Sequence, residues 1–149
     1  MEKPKTVKAK KEKAQKRSPM KPATERMRVL GEGLRAELEQ WPDVTMKRAF
    51  GMILAYRGKV IFGALPDTKA IYHEDAIMLK FAEEKPALVK RMEGDPHFIS
   101  AKAATGRSSK SEGRKWRFFL IREDADLHVA IEWLAEAYRV AGKVSRPGR

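Results

Sequence analysis

The chain has 149 residues, 42% of them apolar, with 32 Lys+Arg against 20 Asp+Glu (net +12) and no cysteine. That size suits one domain with its own core, and the lack of Cys excludes disulfides, thiolate nucleophiles and iron–sulfur clusters. The charge is segregated into residues 1–27 (10 basic, 3 acidic) and 101–117 (6 basic, 1 acidic), while 28–100 and 118–149 balance; this excludes a uniformly basic coating protein and favours an acidic partner.

Residues 1–23 read as a disordered tail. Lys8, Lys10, Lys11, Lys13, Lys16 and Arg17 dominate it, with prolines and few large apolar side chains, so it cannot bury enough surface to offset the entropy of ordering. No apolar h-region follows the basic start, and no apolar run approaches the roughly 20 residues of a membrane span. A cytoplasmic location is expected. The domain proper is expected over 24–142. Thr24 is the expected N-cap of a helix whose stripe is Met27, Leu30, Leu34, Leu38 and Trp41, with Pro42 as its stop.

Short strands follow. Val44–Phe50 alternates with Val44, Met46 and Phe50 on one side, and Gly51 is expected to mark a bulge. Met52–Tyr56 and Val60–Leu65 flank an Arg57-Gly58 hairpin connection, Pro66-Asp67 turns the chain, and Ala70–His73 and Ala76–Phe81 continue the sheet. A helix is expected over Glu84–Glu93, with acids near its start and Gly94 as its stop. Residues 101–113 lack large apolar side chains and read as a mobile basic loop. Lys115–Ile121 is a strand. A final helix spans Ala125 to Ala141, with Asp124 as N-cap, Gly142 as terminator and a frayed basic end over 143–149. The fold class is α+β, an antiparallel meander packed against N- and C-terminal helices.

Arg48-Ala49-Phe50-Gly51, the Ile53–Tyr56 strand and Arg57-Gly58-Lys59-Val60-Ile61-Phe62 resemble the opening of the TfoX N-terminal domain family. Ile77-Met78-Leu79-Lys80-Phe81, Gly113-Arg114-Lys115 and the helix with Trp133, Leu134 and Tyr138 are similar to its later portion. YjbR/MmcQ-like domains are a close alternative, through Lys80 and the Lys-Trp strand. The resemblance covers roughly residues 27–141 and implies a fold with a regulatory association, and no catalytic residues to carry over.

No catalytic constellation stands out, and no cofactor or metal is expected. His73, His97 and His128 lack partners at metal-ligating spacing; His128 has Asp124 and Glu132 one turn away, an ordinary surface arrangement. Gly106-Arg107-Ser108 falls short of a phosphate loop, since the first glycine and the lysine are missing. The basic constellation remains: Lys102, Arg107, Lys110, Arg114, Lys115 and Arg117, interleaved with Ser and Thr, can contact phosphate oxygens. Together with the six tail cations these are the candidate nucleic-acid contacts. Trp116 and Phe118 could stack a base, although core packing is the commoner role for such strand residues. The expected function is non-enzymatic: a regulatory domain touching nucleic acid or an acidic protein. A homodimeric interaction module and a small-ligand or enzymatic domain are the alternatives.

Overall fold

In the computed structural model, residues 21–70, 75–100 and 116–145 are described. Their helices are α1 (Glu25–Leu38), α2 (Pro86–Glu93) and α3 (Ala125–Ser145). Six strands form one antiparallel sheet: β2 (Val44–Ala49), β3 (Met52–Arg57), β4 (Val60–Pro66), β6 (Ala76–Leu79), β7 (Phe98–Ile99) and β8 (Arg117–Leu120). Their spatial order is β2-β3-β4-β6-β8-β7. A separate two-stranded ribbon pairs β1 (Lys21–Pro22) with β5 (Lys69–Ala70). The expected α+β architecture is therefore the one observed. The end of the supposed tail, however, is ordered by that ribbon and by the Ala23 N–H donating to the Thr68 carbonyl at 2.9 Å.

Thr24 caps α1 as expected: its backbone is extended and its Oγ1 accepts the Met27 N–H at 3.1 Å. Met27, Leu34 and Leu38 are buried along one face, the consequence of three- and four-residue spacing on a 3.6-residue helix. The helix stops at Leu38, earlier than expected, because Pro42 disfavours helical geometry at Trp41 and Asp43 adopts φ +63 to reverse the chain into β2. Trp41 sits in the turn and meets Tyr138 edge-on at 5.0 Å.

The β2–β3 connection corrects two expectations. Phe50 and Gly51 are the two central residues of a tight hairpin, with φ +58 and +78, a pattern of positive φ that a type I′ turn requires. Gly51 is thus a turn residue rather than a bulge, and Phe50 leaves the strand face to stand 83% exposed. The bulge lies further on. Ala55 pairs with Gly63 but Tyr56 pairs with Ile61, so Phe62 is the extra residue. It is fully buried and edge-on to Tyr138 at 5.7 Å.

The core lies where Ile53, Leu65, Ile77, Leu79 and Phe119 of the sheet meet helical side chains. Those are Leu34 and Leu38 of α1, Leu88 and Met92 of α2, and Trp133, Leu134 and Ala137 of α3. Ala64, Phe118 and Leu120 on the opposite sheet face are buried too, which is why β6 and the Phe118–Leu120 part of β8 read as apolar runs. Phe118 is therefore a packing residue, and Trp116 is half-buried.

Helix α3 does not end at Gly142 but runs to Ser145. Glycine there serves close approach: a Cβ at 142 would overlap the Arg57 guanidinium. Helix α2 begins at Pro86 instead of Glu84, and no acidic residue lies in its first turn. Residues 1–20, 71–74, 101–115 and 146–149 lie outside the described residues, and with them most of the expected tail, the expected strand through His73, the expected loop and the last part of the expected basic end.

Candidate functional site

His97 lies at the centre of a partly buried hydrogen-bond network. The turn after α2 supplies Asp95, whose Oδ1 accepts the His97 backbone N–H at 2.9 Å and lies 2.6 Å from His97 Nδ1. The first turn of α3 supplies Asp126, with Oδ1 2.9 Å from His97 Nε2. Each carboxylate has a second engagement. Asp95 Oδ2 accepts the Trp133 indole N–H at 2.9 Å, and Asp126 Oδ2 accepts the backbone N–H groups of Arg122 and Glu123 at 2.8 and 3.1 Å. The imidazole stacks on Phe119 at 4.8 Å and 13°.

Partial burial alone would lower the His97 pKa, but hydrogen bonds to Asp126 and Asp95 and their charges outweigh it and raise the value. Asp95 is lowered because the His97 backbone N–H, the Trp133 indole and the His97 ring overcome its desolvation. Asp126 is lowered first by the His97 hydrogen bond, against desolvation, and then by the two backbone donors. When protonated, the ring donates from both nitrogens to carboxylates on either side. It is a clasp joining the α2–β7 turn to the start of α3. Of its two partners Asp95 is two residues away in sequence, whereas Asp126 is 29 residues away and is brought in by folding. Asp124 immediately precedes α3 at the expected N-cap position, and Asp126 in the first turn reaches back to the N–H groups of the chain leading into the helix. His128 pairs with Glu132 at 3.3 Å on the surface, as its spacing predicted. Among the described residues no three His, Asp or Glu side chains assemble as a metal site.

Of the twelve candidate nucleic-acid contacts, Arg117 lies within the described residues. Its guanidinium is bidentate to Glu84, with Nε–Oε2 at 2.9 Å and Nη2–Oε1 at 2.5 Å. The pair is partly buried, and it spends the charge of Arg117 inside the domain. Lys8, Lys10, Lys11, Lys13, Lys16, Arg17, Lys102, Arg107, Lys110, Arg114 and Lys115 lie outside the described residues.

Sequence reasoning missed a groove between α2 and α3, about 220 Å³ in volume. Buried Leu88 and Val140 are its apolar floor, with exposed Ala87 beside them, and its rim carries Lys85, Arg91, Arg139 and Lys143 with Glu83 and Glu136. The α3 contribution follows from helical spacing, since 136, 139, 140 and 143 fall on one face. Glu136 pairs with Arg139 and, at 3.8 Å, with Arg91, whose guanidinium also lies 4.9 Å from the Trp133 ring centre. Among the described residues, Lys85 and Lys143 have no ion-pair partner.

The class defined by these features is an α+β domain with a six-stranded antiparallel sheet, an internal His–Asp clasp and a basic interhelical groove. Comparison with protein-family models, curated proteins and solved structures finds no match to this chain. The resemblance to the TfoX N-terminal domain thus rests on its short sequence motifs alone. Among the described residues no helix is long and apolar enough to cross a membrane.

Proposed function

We propose that this chain is a non-enzymatic, TfoX N-terminal-like regulatory domain that contacts nucleic acid through its basic tail and the 101–115 segment. One observation carries the reading: the entire +12 excess resides in residues 1–27 and 101–117, at +7 and +5, on an otherwise neutral chain. Such clusters attract phosphate by counterion release, without reading sequence. No described helix combines basic and Asn/Gln side chains as major-groove readers do.

The test is anisotropy of labelled duplex and single-stranded DNA with the intact chain, between about 50 and 200 mM salt. Affinity is expected to fall steeply with salt and to be indifferent to base sequence. Salt-independent binding, or none at the lower salt, would overturn the reading.

A further inference from the structure

Among the described residues six charged side chains rim the α2–α3 groove, four basic and two acidic, a net +2. Glu136 contacts both Arg139 and Arg91, so the two cations without an ion-pair partner among the described residues are Lys85 and Lys143, on a rim that also carries Glu83. Lys85 immediately precedes α2 and Lys143 lies near the end of α3. Beneath them Leu88 and Val140 are buried apolar side chains. Cationic rim, apolar floor and partial enclosure together describe a site for a small amphiphilic anion.

We propose that this groove binds a small molecule carrying a phosphate-monoester head, with Lys85 and Lys143 on the head and a short apolar body against Leu88 and Val140. Charge matching selects the head: a phosphate monoester carries about −1.5 to −2 at neutral pH, which balances +2, whereas a carboxylate or an internal nucleic-acid diester carries one charge. Size selects the body. The volume of 220 Å³ is below the roughly 300–1,000 Å³ of pockets for drug-sized ligands, so only a few carbons fit. Arg139, held by Glu136 at the groove wall, is the further donor within the lining. Its lining residues belong neither to the tail nor to the loop in sequence, so its test is independent of nucleic-acid binding.

Phenyl phosphate is the probe, titrated by amide NMR into the intact isotope-labelled chain beside phenol and benzoate. Saturable shifts are expected in α2 and the last two turns of α3, with benzoate weaker and phenol silent. Lys85→Gln with Lys143→Gln, both exposed, should weaken phenyl phosphate about tenfold or more while leaving the spectrum dispersed. Arg139→Gln provides a second variant. Removal of residues 1–20 should change nothing. The proposal is overturned if phenol matches phenyl phosphate, if the double variant binds as the parent does, if the shifts map away from the groove, or if tail removal abolishes them.

Discussion

Arg57 and Gly142 share one volume: the guanidinium from the end of β3 occupies the space a side chain at 142 would need. From there Arg57 lies 4.0 Å from the Tyr138 ring centre and donates from Nη1 to the Tyr138 carbonyl at 3.2 Å. Tyr138 in turn donates its hydroxyl to the Pro42 carbonyl at 2.9 Å. Sheet, terminal helix and the α1–β2 turn are thereby tied through one arginine.

Gly142→Ala should consequently behave differently in two backgrounds. Alanine normally stabilises a helix interior over glycine by about 1 kcal/mol. In the parent it must also displace Arg57 from its ring and carbonyl contacts, losing about 1–2 kcal/mol. Urea unfolding should show Gly142→Ala neutral or destabilising in the parent and stabilising alongside Arg57→Ala. Equal effects in both backgrounds would refute the shared volume.

The His97 clasp predicts a pH profile. A raised folded-state pKa at His97 means its contribution is complete below the unfolded value of about 6.5 and is lost as pH rises through the folded value. Lowered pKa values at Asp95 and Asp126 mean theirs is present above about 4 and is lost as pH falls through the folded values. Thermal stability should peak in mildly acid solution and decline on the alkaline side. His97→Gln should flatten that decline, and an unchanged alkaline limb in the variant would contradict the clasp.

Phe50 occupies a position that asparagine fills more easily. A bulky side chain at φ +58 costs on the order of 1 kcal/mol, and with 83% of the residue exposed little burial offsets it. Phe50→Asn, giving the preferred Asn-Gly turn, should raise the melting temperature by a few degrees. A lowered value would mean that the ring packs in solution.

Arg117 should report on stability rather than affinity. Breaking its partly buried bidentate pair by Glu84→Gln should cost about 1–3 kcal/mol in urea unfolding. A change below about 0.5 kcal/mol would show the pair to be solvated.

Elements whose signals are local were legible in the sequence: the Thr24 cap, the Met27–Leu38 stripe, the hairpin strands and the long terminal helix. What escaped reading depends on distant partners. Gly142 looks like a terminator until Arg57 is placed beside it, and Glu84 looks like a helix-start acid until Arg117 pairs with it. His97 shows only its near neighbour Asp95 in the sequence, because Asp126 lies across the fold. The α2–α3 groove has only a weak signature, basic residues on one face of α3, since its other wall comes some fifty residues earlier. Phe50 misled for another reason: alternation continues past a strand end, but a two-residue turn requiring positive φ at both positions does not.

The central claim is that the charge is separable from the fold. Its most direct measurement pairs DNA affinity with thermal unfolding for the intact chain and a variant lacking residues 1–20 with Lys102, Arg107, Lys110, Arg114 and Lys115 changed to Gln. The account predicts that the variant loses nearly all salt-dependent DNA binding and melts within about 3 °C of the parent. A variant that still binds DNA with the parent's salt slope, or that unfolds, would contradict it.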